Sequence, residues 1–170
     1  MVKNYYKTKQ SIDEWALTIE KKFHHVSITE SIEIANILGI EDSKEHEKIR
    51  KASIIAFGKK IGVLSFDDAV RKLGITPIDL DYTENKFLIA SYKLSIIIEA
   101  LNEGWKPDWT DSTYKYYNYF YMKDGTFSYY YSAYISGSVH VPSALWFKTE
   151  ILAYYCAHQF IDLYKDLYLK

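Results

Sequence analysis

Residue types that do chemistry are sparse in this chain, and their spacing favours binding over catalysis. Cys156 recurs with Leu152, Phe160, Leu163 and Leu167 at helical intervals. On such a stripe a thiol behaves as a small inert hydrophobe. There is no Gly-x-Ser-x-Gly elbow and no phosphate-binding Gly-Lys-Ser/Thr loop. Gly58-Lys59-Lys60-Ile61-Gly62 is too short for one and lacks the hydroxyl a magnesium ion would need. Asp67-Asp68 follows Ser65 and suits a helix start better than acid-base work. The histidines are His24, His25, His46, His140 and His158. The adjacent pair cannot share one helix face as metal ligands do. Asp108 and Asp111 would reach His140 or His158 only through tertiary structure. The expectation is a non-enzyme with no catalytic residue, no metal and no cofactor.

What the chain has in surplus is aromatic surface: 17 Tyr, 8 Phe and 4 Trp in 170 residues. Most of it lies between Trp105 and Lys148. Two alternating runs, Tyr114 to Met122 and Phe127 to Ile135, flank Asp124-Gly125, the strongest short-range signal for a two-residue hairpin turn. With Lys123 and Thr126 beside the turn, Tyr121 faces Ser128, Tyr119 faces Tyr130, Tyr117 faces Ser132 and Lys115 faces Tyr134. The opposite side pairs Met122 with Phe127, Phe120 with Tyr129, Asn118 with Tyr131 and Tyr116 with Ala133. Strand side chains alternate, so the two sets take opposite faces. One is apolar and can seal a core. The other carries Lys115, Tyr117, Tyr119, Tyr121, Lys123, Tyr130 and Tyr134. Flat aromatic surface bordered by lysine can stack a planar base and hold a phosphate. It is equally the make-up of a half-wet sheet stabilised by cross-strand tyrosine pairs. Trp105-Lys106-Pro107-Asp108-Trp109 could wall a pocket beside that sheet or simply connect a helix to a strand, and Lys148 joins Lys115 and Lys123 as a candidate ligand-binding lysine beside the tyrosines.

The surrounding pattern supplies the elements that must hold this stretch. Ser11 opens a helix through Lys22, and Ser27 or Thr29 opens another that stops at Gly39. The charged run Glu41 to Lys51 starts a third helix reaching Phe57, with Gly58 and Gly62 breaking it. Its mixed signs read as a solvated surface. A helix-turn-helix over residues 27–58 is disfavoured, since Glu41, Asp42, Glu45 and Glu47 would face phosphates. Ser65 caps a short helix closed by Gly74. Glu84 to Glu103 is the longest helical pattern, with Phe87, Ala90, Leu94, Ile97, Ile98 and Leu101 on one stripe and Gly104 as its stop. Leu38-Gly39-Ile40 and Leu73-Gly74-Ile75 form a weak internal echo that helix-stop chemistry explains equally well. Val139 to Phe147 would add a third strand, broken at Pro142. Thr149-Glu150 caps a final helix, expected to cover Phe120, Met122, Phe127 and Tyr129. The fold class is therefore α+β: N-terminal helices, then a small antiparallel β-meander under a C-terminal helix. Residues 1–64 form a helical region and 65–170 an aromatic-rich α+β domain.

Composition narrows the remaining classes. The chain is 48% hydrophobic and 25% charged, as globular proteins are. Its formal net charge of −1 argues against duplex DNA held by charge alone. One cysteine excludes an intramolecular disulfide. No apolar run has membrane-span length, and the first residues lack a signal-peptide core, so a cytoplasmic protein is expected.

From Ser65 onward the chain resembles an uncharacterised family of small proteins in phages and prophages of Bacteroidetes bacteria. The matching pieces are Ser65-Phe66-Asp67-Asp68-Ala69, Leu73-Gly74-Ile75, Ala100-Leu101-Asn102-Glu103-Gly104-Trp105 with Pro107-Asp108-Trp109, and Tyr114-Lys115-Tyr116-Tyr117. Leu145-Trp146-Phe147-Lys148 and Gln159-Phe160-Ile161-Asp162-Leu163-Tyr164-Lys165-Asp166 complete them. The family carries an arginine where this chain has Ala144, so that arginine's role has no carrier here. The resemblance implies a phage gene product acting in the host cytoplasm and implies no chemistry. Added to the aromatic surface, it suggests a protein that sequesters a small nucleotide-type ligand, as an anti-defence sponge. The alternatives are a protein–protein module that blocks a host protein or assembles phage components, and a single-stranded nucleic-acid binder. Self-association into a homo-oligomer stays open.

Overall fold

A computed structural model describes residues 44–81, 83–137 and 142–169. The helices expected before residue 40, and residues 139–141 of the expected third strand, lie outside the described residues. The chain divides into two compact units, Met1–Lys60 and Ile61–Lys170.

The described residues of the first unit belong to helix α1, Lys44–Ile61. Glu47 and Lys51, one turn apart and both exposed, pair at 2.8 Å. This exposed pair is the part of the mixed-charge run that the described side chains show, and on a solvated helix surface such a contact contributes little. Gly58 does not break the helix. The stop comes at Gly62, whose φ of +72° suits glycine.

In the second unit, Ser65 caps α2, Phe66–Leu73, by accepting the Asp68 N–H at 3.1 Å. Asp68 reaches back to the Leu64 N–H at 2.9 Å, so the expected capping box closes one residue early. Gly74 ends α2 in the left-handed conformation. Helix α3, Lys86–Asn102, starts at Asn85, whose side chain takes the Leu88 N–H. Ala90, Leu94, Ile97, Ile98 and Leu101 are buried as expected, whereas Phe87, on the first turn, is exposed. The left-handed residue that ends α3 is Glu103, held by Lys72 at 2.8 Å, with Gly104 following it.

Strands β1, Lys115–Lys123, and β2, Thr126–Ile135, form an antiparallel hairpin. Asp124 and Gly125 both take positive φ, the signature of the tight turn their sequence announced. The expected third strand reduces, among the described residues, to a single bridge between Phe147 and Tyr116. Ahead of it a short 3-10 turn, Ser143–Leu145, follows Pro142. The final helix is two helices, α4, Glu150–Gln159, and α5, Ile161–Tyr168. Thr149 caps the first as expected. Phe160 leaves helical geometry at φ −116°, ψ +32°, and its ring packs edge-on against Tyr155.

That break changes what faces the sheet. Ala153 and Ala157 let α4 lie close to the strands, and Tyr164 of α5 meets Phe120 at 4.6 Å. Phe120, Phe127 and Tyr129 are half-buried, while Met122 stays 52% exposed instead of being covered. Asn118 is a buried polar residue on the strand face toward α4. It donates to the Ala153 carbonyl at 2.9 Å and accepts from Ser132 Oγ at 2.8 Å, so its amide is satisfied without water. The result is an α+β unit whose core lies between α3, α4, α5 and the hairpin root.

Candidate functional site

The hairpin register decides which aromatics share a surface, and it holds a β-bulge. From the turn to Phe120–Tyr129 the pairing follows the sequence expectation; then Tyr119 pairs with Tyr131 and leaves Tyr130 extra. One added residue reverses the facing of everything beyond it on that strand. Tyr134, expected on the tyrosine face opposite Lys115, instead pairs with Tyr116 on the other face, 4.4 Å from the Tyr114 ring. Tyr131 takes its place, stacked on Tyr119 at 4.9 Å. Adjacent Tyr130 and Tyr131 now lie together, and Tyr130 also meets Tyr121 at 5.4 Å.

Two further expected residues leave the wet surface. Lys115 is fully buried. Its ammonium is bound by the Asp111 carboxylate and lies 3.3 Å from Thr113 Oγ1. The same ammonium stands 5.7 Å from the centre of the Trp109 ring. It is therefore a structural cation with no free side for a phosphate. The Lys115 hydrogen bond, aided by Thr113, draws the Asp111 pKa from 3.8 down to about 2. Tyr117 is only 7% exposed, covered by Trp146 at 4.8 Å. Burial, then its hydroxyl contact with Tyr119, pushes its pKa up to about 12. What remains open on this face is Tyr119, Tyr121, Lys123, Tyr130 and Tyr131.

Trp105 and Trp109 stand elsewhere. With Pro107 and Trp146 they line a cleft of about 420 Å³ at the C-terminal end of α3, along with Ser95, Glu99, Asn102 and Lys106. The walls follow from local chemistry. Asp108 Oδ1 accepts from Thr110 and Asp111 Oδ1 from Thr113, through backbone and hydroxyl in each case, which fixes two consecutive turns. Those bonds hold the Asp108 carboxyl below its usual range as well. Asn102 staples the opposite wall: its amide donates to the Trp146 carbonyl at 2.8 Å and accepts the Lys148 N–H at 3.0 Å. Trp146, fully buried, meets Trp109 edge-on at 5.0 Å. Lys148 itself is exposed but does not line the cleft.

The ten sequence-predicted binding residues thus fall into separate groups. Trp105 and Trp109 share the cleft; Tyr119, Tyr121, Lys123 and Tyr130 share the outer sheet face; Lys115 and Tyr117 are buried between them; Tyr134 and Lys148 join neither. Sequence reasoning missed Trp146 and Asn102 as cleft-forming residues. The only sequence signal for either was its place in a family-like motif, which carries no geometry. It also missed Glu99, the acidic group of the lining, whereas Lys106 lay within the loop expected to wall a pocket.

Other chemistry is constrained too. Among the described residues no cluster of three His, Cys, Asp or Glu side chains has metal-site geometry. Cys156 is buried, and burial pushes its thiol pKa up to about 12. Among the described residues, no helix is long and apolar enough to cross a membrane. Comparison with protein-family models, with curated proteins and with solved structures yields no match.

Proposed function

We propose that this chain is a non-enzymatic binding protein whose tryptophan cleft holds a planar, nucleotide-type ligand. The observation that carries this reading is the cleft of about 420 Å³ walled by Trp105, Pro107, Trp109 and Trp146. Sites for small molecules are concave, mostly apolar and supplied with a few polar groups. A base entering here meets indole surface, against which stacking is worth about 1–3 kcal/mol. The Glu99 carboxylate can only accept hydrogen bonds, which favours bases with paired donors on one edge, such as guanine. Lys106 is the cation for a phosphate. In the phage setting the family resemblance implies, such a protein would withhold a nucleotide signal from host defence.

The test is titration of the full chain with a nucleotide panel, read by tryptophan fluorescence and thermal shift. Guanine nucleotides should quench the indoles and raise the melting temperature. Trp105→Ala should weaken that binding roughly 5- to 150-fold, the equivalent of about 1–3 kcal/mol. No quenching and no shift with any nucleotide would end the reading.

A protein partner on the outer sheet face is the second reading. Tyr130 is 65% exposed there beside Tyr131 at 45% and Tyr119 at 41%. Interfaces are enriched in tyrosine. Burial of Lys115 removes a phosphate contact from that face and so weakens the single-stranded nucleic-acid alternative.

A further inference from the structure

We propose that the outer edge of β1 is a self-association surface, on which two copies of this chain pair antiparallel over residues 118–122. Tyr116 fixes the direction of that edge. Its N–H donates to the Phe147 carbonyl at 3.0 Å, and its carbonyl accepts the Phe147 N–H at 2.8 Å. Backbone groups two residues apart along a strand point the same way. Asn118, Phe120 and Met122 therefore turn theirs away from β2, continuing the ladder that Phe147 begins. The bulge does not disturb this, because the extra residue is on β2. Among the described residues no further backbone hydrogen bond meets that edge. Beside it runs a groove of about 460 Å³ bordered by Phe120, Met122, Tyr168 and Leu169.

The sequence of the edge favours a second copy as the occupant. A twofold axis through Phe120 sets Phe120 against its counterpart and Asn118 against Met122. The outward residues of one strand then meet the outward residues of the other, which self-pairing requires. The paired stretch also ends without collision. Opposite Tyr116, already occupied by Phe147, falls Asp124, where the partner chain leaves the strand for its turn. Residues 118–122 carry no charge, and Lys123 would face Tyr117 and not another lysine. Edges that resist pairing use an inward charge, a proline or a bulge, and β1 has none of these between Asn118 and Met122. Met122 at 52%, Tyr168 at 49% and Leu169 at 36% exposure provide apolar area beside the new ladder.

Sedimentation equilibrium of the full chain across a dilution series tests this. A species of twice the 20.0 kDa chain mass is expected, dissociating on dilution. Met122→Pro removes one outward N–H and leaves the β1–β2 ladder intact, so it should give monomer with unchanged far-UV circular dichroism. If that variant fails to fold, Met122→Lys decides, since a charge on the edge should weaken the dimer at least tenfold. Tyr130→Ala, away from the edge, should leave the dimer as it is. A wild-type chain that is monomeric throughout, or a folded Met122 variant with undiminished dimerisation, would overturn the proposal. The nucleotide titration reads the cleft and not this edge, so either idea can fail alone.

Discussion

The two ends of one hairpin treat the same residue type in opposite ways. At the root, Tyr117 lies under Trp146 and Lys115 is sealed against Asp111. At the tip, Tyr119, Tyr121 and Tyr130 stand in water, though Tyr117, Tyr119 and Tyr121 share one face of one strand. Alternation assigns a side chain to a face; it does not say what lies over that face. The root is covered because Asn102 anchors the Trp146–Lys148 backbone and Phe147 bridges Tyr116. No such cover reaches the tip among the described residues. The root is therefore where stability should reside, and the tip is where recognition is free to occur.

The sharpest way to break that contrast is a pair of truncations. Trp146→Ala should cost about 3–5 kcal/mol, because it empties a fully buried indole site. Tyr130→Ala at the tip should stay within about 0.5 kcal/mol of wild type. Equal shifts in urea midpoint would mean that root and tip do not differ as described. Asn118→Ala should come next, at about 1–3 kcal/mol, since it leaves the Ala153 carbonyl and the Ser132 hydroxyl without their buried partner. A near-neutral Asn118→Ala would show that the polar network beneath β1 is dispensable.

The smallest effect concerns acid. Asp111 titrates near 3.8 in the unfolded chain and at about 2 in the folded protein, chiefly through its Lys115 hydrogen bond. The unfolded state then binds the extra proton first, so this contribution is complete above about pH 4 and fades as pH falls through about 2. The stability difference between wild type and Asp111→Asn should be largest near neutrality and shrink over that window. Denaturant melts at a series of pH values would reveal it. A difference independent of pH would mean that the Lys115–Asp111 pair does not secure the hairpin root.

Much of the frame was readable in advance because local chemistry dictates it. Ser65, Gly74, Thr149 and Asp124-Gly125 each act within a few residues of themselves, and each stands where its type implied. Three features were not local. The bulge at Tyr130 is chosen by how β2 fits both β1 and α4, and it moved Tyr134 off the expected face while bringing Tyr131 onto it. Phe160 breaks the last helix because its buried place beside Tyr155 outweighs the helical pattern around it. Lys115 is buried because Asp111, in the preceding loop, neutralises it, and a strand pattern of alternating lysine and tyrosine cannot reveal a counterion.

Of the candidate site, the sequence named Trp105 and Trp109 but not the wall that makes them a cleft. Trp146 comes from the far side of the hairpin and is held by Asn102 across 44 residues of chain.

Among the described residues, the amino-acid sequence by itself determined the succession from helices to hairpin to C-terminal helix, the caps at Ser65, Gly74 and Thr149, and the hairpin corner, since propensity and turn chemistry act over one or two turns of chain. The tertiary structure alone decided which aromatics are wet. Exposure depends on what a distant segment lays over a surface, and that is a property of packing which no short window of residues contains.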